Sequence, residues 1–351
     1  MLFTLYSLTM VFSAFVFSWI GCHLLRLLFT SIQLMDEPNE RSNHQKPVPR
    51  GGGIAVILSI VCFLYVAASP STVLVATLGI AIASFLDDKG GIAIRWRLLV
   101  QISAVALLFI PNGVIDAQFD GLIFQGLLTP LHDKLAAGFL LLGFMNLFNF
   151  MDGIDGITGV QTLAIGGGLF ILSLTTDGLQ IIGIEGIIIA AAAAGFLLIN
   201  WHPAKLFLGD VGSVALGFLL GFLLLNLAAE GHWIAALTLP AYYLLDGGLT
   251  FLKRLITGQK VWQAHSQHAY QKAVRGGYSH SWVVKRIFLL NVALICLAVT
   301  SLHWPLYGIF ALSGAYILAF LTWFRFMVAQ KPAVQTIIPP QESQESHAFS
   351  A

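Results

Sequence analysis

Six aspartates stand out in a chain of 351 residues that is only 10% charged. Asp87 and Asp88 are adjacent, Asp152 and Asp155 are three apart, and Asp210 and Asp246 stand alone. Asn146, Asn149 and Asn200 lie in the same stretches. Such hard oxygen ligands suit Mg²⁺, which keeps several waters and is shared with substrate phosphates. Phosphoryl transfer uses groups of this kind for positioning and charge neutralisation more than for covalent help.

The motifs carry different weight. In Phe85-Leu86-Asp87-Asp88-Lys89-Gly90-Gly91 the two carboxylates diverge by about 100° on a helix, so they cannot chelate one ion side by side. Two jobs are expected, acid/base work and anchoring of a cation. The densest polar run is Asn146-Leu147-Phe148-Asn149-Phe150-Met151-Asp152-Gly153-Ile154-Asp155-Gly156. It lacks the spacing and closing glutamate of a calcium loop. The stretch from Asn200 to Ser213 holds His202, Lys205 and Phe207 and ends in Gly209-Asp210-Val211-Gly212-Ser213. A helix starting there would expose N–H groups suited to phosphate. The loop 251–285 carries His265 and His268, which share a face if that loop is helical. Zinc would need further ligands; phosphate binding and a lipid-surface segment are both open. Gly51-Gly52-Gly53 reads as small-residue packing, since no Gly-Lys-Ser/Thr follows it to make a P-loop.

These motifs need elements to hold them, and composition says which kind. Hydrophobic residues make up 57% of the chain, against roughly 45–50% in a soluble domain with about 25% charge. A water-soluble enzyme and a disordered chain are excluded. The net charge of +1 gives no field for nucleic acid. Three scattered cysteines offer neither a disulfide framework nor a cysteine metal site. The expectation is an all-α integral membrane protein. Against a ruler of about 20 residues per span, eleven apolar runs qualify, near 4–30, 52–69, 71–86, 97–110, 135–151, 157–175, 180–199, 211–228, 232–250, 286–303 and 305–327. The first is no cleaved signal, because no Lys or Arg precedes Arg26.

Arg41, Lys46 and Arg50 follow the first run, which puts that loop in the cytoplasm and the N-terminus outside. The remaining Lys and Arg agree, Lys134 excepted, with a cytoplasmic C-terminus. All six aspartates then fall at the cytoplasmic rim, although the topology was set by basic residues alone. An Asp at a helix centre costs about 2.5–3.5 kcal/mol on insertion scales, so a rim of six speaks for function. A short periplasmic β-hairpin is expected near 114–124, around Asp120-Gly121. Residues 1–330 read as one polytopic catalytic domain and 331–351 as a disordered cytoplasmic tail.

The ordered set of motifs resembles the polyprenyl-phosphate N-acetylhexosamine-1-phosphate transferases, the MraY/WecA group of the glycosyltransferase 4 family. It runs from Pro49-Arg50-Gly51-Gly52-Gly53 through Asp87-Asp88, Asn149 to Gly156 and Gly209 to Ser213, to the His-bearing last cytoplasmic loop. The resemblance implies an Mg²⁺-dependent transfer, with Mn²⁺ as a substitute, of a sugar 1-phosphate from a UDP-N-acetylhexosamine or a derivative to undecaprenyl phosphate, releasing UMP. It implies a multi-pass protein of the bacterial inner membrane, in contact with membrane lipid, whose active site faces the cytoplasm. A homodimer stays open, because a dimer face would be as apolar as the lipid face. Carried over residue by residue, Asp210 matches the metal ligand with Asn149 second; of the catalytic pair, Asp87 is the candidate base or lipid-phosphate contact and Asp88 supports it or the metal. Gly153, Asp155, Asn200 and Phe207 match uridine contacts, and His265 and His268 match the loop facing phosphates or sugar. Lys46, Asn146, Asp152, Arg95 and Asp246 complete the expected substrate-binding set.

Two departures bear on the subfamily. MraY enzymes have a lysine where this chain has Gly91, leaving Lys89 or Arg95 to supply the cation. They also carry consecutive histidines, whereas this chain has His265-Ser266-Gln267-His268. Both point away from phospho-MurNAc-pentapeptide transfer in peptidoglycan synthesis and toward the WecA/WbpL-type enzymes that begin O-antigen or other surface polysaccharides. A transporter of lipid-linked solutes is the rival of another class. It would bury its acids mid-span rather than at one rim.

Overall fold

The computed structural model describes residues 5–38, 46–109, 123–261, 263 and 265–330. It is helical nearly throughout. In chain order the elements are α1 (Leu5–Ser31), β1 (Met35–Asp36), β2 (Val48–Pro49), α2 (Gly53–Val66), α3 (Ser71–Gly90) and α4 (Ile94–Leu108). There follow α5 (Pro130–Phe150), α6 (Ile157–Thr175), α7 (Gln180–Asn200), α8 (Asp210–Leu227), α9 (Trp233–Thr238) and α10 (Ala241–Ile256). The chain closes with α11 (Ala269–Arg275), α12 (His280–His303) and α13 (Gly308–Met327).

Among the described residues, eight helices are long and apolar enough to cross a membrane. The chain is a multi-pass, all-α membrane protein. In lipid the apolar effect gives helices no reason to associate, so small residues and close packing must do it. The centre of the bundle is α8, whose residues are all buried except Asp210 and Leu225. Gly53, which opens α2, shows how tight the fit is: a Cβ there would stand 2.3 Å from the backbone nitrogen of Gly212 on α8. The glycine run is thus a packing device, as its composition suggests. Around this centre, α1 and α13 turn Leu5, Phe12, Ile309, Phe310 and Phe320 outward, where lipid would meet them.

The ninth apolar run differs from the single span expected over 232–250. A π-turn over Ala228–His232 leads into the short α9, and the chain breaks again before α10. Pro240 stands at that break; it has no N–H to donate, and its ring blocks continuation of the preceding helix. The freed α10 is two-faced: Tyr242, Tyr243, Asp246, Gly247, Thr250 and Arg254 are buried, while Phe251, Leu252, Leu255 and Ile256 are exposed. The expected third run is longer than its apolar part and carries Asp87 and Asp88 on its last turns, ending at Gly90.

Most of the hairpin expected near 114–124, and the tail 331–351, lie outside the described residues. Asp133, in the first turn of α5, accepts from the backbone N–H of Ile123 and Phe124, both at 2.8 Å.

A candidate phosphoryl-transfer site at one end of the bundle

Helices α3 and α8 end side by side, and the segment entering α2 is stitched to the loop entering α8. Phe207 N–H donates to Pro49 O at 2.8 Å, Gly52 N–H to Phe207 O at 2.9 Å and Gly53 N–H to Leu208 O at 2.8 Å. β1 and β2 pair antiparallel beside this seam, Met35 opposite Pro49. The seam fixes Arg50 over the acids. One guanidinium nitrogen, Nη2, lies 2.8 Å from Asp88 Oδ1 and 2.7 Å from Asp210 Oδ1. Burial alone would lower the Arg50 pKa, but Asp88, Asp210, Asp36 and Asp152 together drive it up, so the cation is permanent.

The two adjacent aspartates face different partners, as their 100° divergence requires. Asp88 turns to Arg50, and its Oδ2 accepts from Val211 N–H at 3.3 Å. Asp87 turns to α4: Arg97 Nη1 stands 2.9 Å from Asp87 Oδ2 and 3.7 Å from Asp210 Oδ2, and Ile92 N–H donates to Asp87 Oδ1 at 2.7 Å. Three carboxylates and two guanidiniums form one cluster at the ends of α3, α4 and α8. The cation beside Asp87 is thus Arg97, where the sequence reading expected Lys89 or Arg95. Arg95 instead lies over the Trp96 ring, 5.7 Å from its centroid, and Lys89 over Phe85 at 4.6 Å.

Asn149 reaches the same place from the end of α5. Its Oδ1 accepts from the hydroxyl of Ser213, on the turn of α8 that Asp210 opens. Beyond it, Asp152 accepts from Thr158 Oγ1 at 2.6 Å. Burial pushes the Asp152 carboxyl up to about 6, with the Thr158 hydrogen bond and the Arg50 charge pulling against it. Gly153 lies against α11 so closely that a Cβ would meet Tyr270 Oη and Gln271 Nε2, each at 2.5 Å.

The segment between α10 and α12 closes over this run. Asp246, fully buried on α10, accepts from Ala269 N–H at 3.0 Å and Tyr242 Oη at 3.1 Å. Its charge sits at the N-terminus of α11, where the helix dipole favours an anion. Asp246 thus holds the loop in place. His265 and His268 precede α11 rather than sharing a helix, and their ring centroids are 4.9 Å apart. His265 lies 6.4 Å from the Phe150 ring. Burial, with His268 and Arg254 nearby, pushes His265 down to about 4.

The remaining candidates sit around this core. Asn200 is spent internally: Oδ1 accepts from Gly156 N–H at 2.8 Å and Nδ2 donates to Leu206 O at 2.9 Å. Asn146, one turn back on α5, donates to Gln101 Oε1 at 2.9 Å. Lys46 is exposed just before β2, and Phe207 is half-buried at the seam.

One constellation joins an expected residue, Asp155, to two histidines outside the expected set, His202 and His280. Asp155 Oδ2 is 2.6 Å from His202 Nδ1 and 3.2 Å from His280 Nδ1, and accepts from Ala204 N–H at 3.1 Å. Three segments meet there: the loop before α6, the loop before α8 and the first residue of α12. The three ligand atoms lie within 4.8 Å of one another. Ligands about 2.0–2.1 Å from a tetrahedral zinc stand roughly 3.3 Å apart, so the 2.6 Å contact reads as a hydrogen bond rather than half of a metal site. Burial works against the Asp155 charge, but hydrogen bonds from His280 and His202 outweigh it and lower its pKa.

Residues 71–228 match glycosyl transferase family 4, from the start of α3 to the end of α8. The chain is also similar over most of its length to curated proteins. It is 25% identical over 320 residues to the "Probable undecaprenyl-phosphate N-acetylglucosaminyl 1-phosphate transferase" of Bacillus subtilis (strain 168), covering 82% of this chain and 84% of the relative. It is 27% identical over 335 residues to the "Undecaprenyl-phosphate alpha-N-acetylglucosaminyl 1-phosphate transferase" of Escherichia coli O157:H7, covering 90% and 89%. The protein of that name from Escherichia coli (strain K12) is 28% identical over 291 residues, covering 77% of each chain.

Proposed function

We propose that this chain, a member of glycosyl transferase family 4, transfers an N-acetylhexosamine 1-phosphate from its UDP-sugar to undecaprenyl phosphate. A lipid-phosphate oxygen bonds to the sugar-linked phosphorus, the bond from that phosphorus to the UMP oxygen breaks, and UMP departs. The product is a sugar on undecaprenyl diphosphate, a primer for O-antigen or another surface polysaccharide. The names of the relatives support this reading over phospho-MurNAc-pentapeptide transfer. The observation that carries it is the acid–arginine cluster, with Asn149, at one end of an apolar bundle. The Lys and Arg distribution supports placing that end at the cytoplasmic face of the inner membrane.

The chemistry asks two anions to approach. Arg50 and Arg97 are the fixed cations that lessen their repulsion, and each already spans two carboxylates. Mg²⁺ fits beside them, with Mn²⁺ as a substitute: Asp210 would hold it and Asn149, linked through Ser213 to the same turn, would be second. One carboxylate and one amide leave room for waters and substrate phosphates, as Mg²⁺ prefers. When bound, the ion neutralises charge on the diphosphate and on the departing UMP. Asp87 and Asp88 are the candidate proton acceptors and orienting groups for the lipid phosphate. His265, pushed down to about 4, meets phosphate or sugar as a neutral hydrogen-bonding ring.

The test is UMP release by purified protein given undecaprenyl phosphate, Mg²⁺ and a panel of UDP-N-acetylhexosamines. Release that depends on the lipid and stops with EDTA supports the proposal and names the donor. Folded protein that releases no UMP with any donor contradicts it.

A further inference from the structure

We propose that Arg286 and Arg325 form a binding site for the phosphate headgroup of an anionic membrane phospholipid, on the outer seam between α12 and α13. The site lies apart from the acid–arginine cluster and does not depend on the transfer reaction assigned to that cluster.

The fold brings the two arginines together. Helices α12 and α13 are joined by the short turn Pro305–Tyr307, so the start of one lies beside the end of the other. Trp282, in the first turn of α12, has its ring 6.0 Å from that of Phe326, in the last turn of α13. His280 opens α12 against Asp155, which sets this seam at the same end of the bundle as the acids. Arg286 follows Trp282 by one turn and lies flat over it: Cζ stands 3.4 Å from the ring centroid, and Nη1 donates to Trp282 O at 3.1 Å. The Tyr278 ring packs on the same tryptophan at 4.0 Å. Cation–π contact and hydrogen bond together hold the guanidinium in place. Arg325 is exposed in the last turn of α13, close enough for the two like charges to act on each other.

Charge then says what is missing. Two neighbouring cations repel unless an anion lies between them. At the acid cluster that need is met within the chain, since Arg50 and Arg97 each reach two carboxylates. Among the described residues, no Asp or Glu forms an ion pair with Arg286 or Arg325. The described residues give Arg286 no acceptor besides Trp282 O, and Arg325 none. Two planar forks therefore stand at one rim with donors to spare, a match for phosphate oxygens.

The apolar flank says which phosphate. Leu289 lies three residues after Arg286, and Leu321 four residues before Arg325. Each leucine thus shares its arginine's face, one turn further into the membrane. Both are exposed, as are Phe288 and Phe324 beside them. A charged head on the arginines with acyl chains along this face is the shape of a phospholipid; a free anion would use the arginines alone. Basic pockets between spans bind such headgroups, and tryptophan and tyrosine favour the same interface.

The test is native mass spectrometry of the full chain in detergent, titrated with dioleoyl-phosphatidylglycerol or dioleoyl-phosphatidylcholine. Wild type is expected to hold one phosphatidylglycerol about tenfold more tightly than phosphatidylcholine, and its thermal midpoint should rise more with the first lipid. Arg286→Gln combined with Arg325→Gln should remove that preference, whereas Lys253→Gln with Lys260→Gln, at other exposed basic positions, should keep it. If the double arginine variant fails to fold, Arg325→Gln alone, at an exposed position, should weaken phosphatidylglycerol about threefold. Excess inorganic phosphate should not displace the lipid; displacement would assign the arginines to a free anion and overturn the headgroup site. Equal affinity of wild type for the two lipids, or a preference that persists in the folded arginine variants, also overturns it.

Discussion

At the scale of the residue, the account rests on two arginines shared among three acids. Arg50 Nη2 serves Asp88 and Asp210 at once, and Arg97 serves Asp87 and approaches Asp210. A lysine carries one compact charge and lacks the planar fork. Arg50→Lys is therefore expected to lower kcat/KM by about tenfold to a hundredfold with little change in thermal midpoint. Unchanged kinetics would remove Arg50 from the site. The pH profile tests Asp152. Its folded pKa, about 6, lies above the ordinary 3.8, so the carboxylate is present above pH 6 and lost as pH falls through it. The kcat/KM of the wild type should decline below about pH 6, and Asp152→Asn should be slow with no inflection there. An inflection that persists in the variant would assign it to another group.

The sequence was most informative at this scale where the chain is poorest in charge. Acids are costly beside lipid, so Asp87, Asp88, Asp152, Asp155, Asp210 and Asp246 could each be found without coordinates. Arg97 could not, because at the start of an apolar run it reads only as an inside-facing charge. His202 and His280 are 78 residues apart in sequence, and nothing local tells that one carboxylate joins them. Asp246 shows the opposite failure: it is easy to find, but only its buried position beneath α11 reveals an anchoring job.

At the scale of the element, α11 is the piece that closes the site. Asp246 holds its first residue, and Gly153 leaves room for its Tyr270 and Gln271. Asp246→Ala would strand several buried donors, with a cost of about 2–4 kcal/mol. Faster hydrogen exchange through 257–275 is the expected local signature. Exchange confined to its wild-type rate would show that the loop is held by something else. Gly153→Ala should displace α11 and weaken UMP binding while leaving the bundle folded. The interruption between α9 and α10 was legible in principle, since Pro240 sits inside the ninth apolar run. Length and hydropathy alone outweighed it in the reading of eleven spans.

At the scale of the whole molecule, one buried helix, α8, carries Asp210 on its end, and the others pack around it or lie against lipid. The bundle has a polar end with the acid–arginine cluster and an opposite end with Asp133, Asp177 and Glu230. If the first is cytoplasmic, single cysteines at Lys89 and Lys260 in a cysteine-free background label only after permeabilisation. A cysteine at the exposed Asp177 labels in intact cells. The reverse pattern would invert the orientation drawn from the basic residues. The helical class and the rim were legible because period, length and charge are local properties. The stitching of the α2 entry to the α8 entry was not, since it is made of backbone hydrogen bonds between segments about 155 residues apart.

The most direct test of the central claim is lipid-dependent UMP release by Asp210→Asn protein beside wild type, with folding checked by thermal midpoint. The substitution keeps the shape but removes the carboxylate on which Arg50 and Arg97 converge and to which the proposed function gives Mg²⁺. The expected result is a loss of about a hundredfold to a thousandfold in rate, as for removal of a principal charge-stabilising group, in protein that melts near the wild-type temperature. Turnover at the wild-type rate with unchanged Mg²⁺ dependence would contradict the assignment of this cluster as the transferase site.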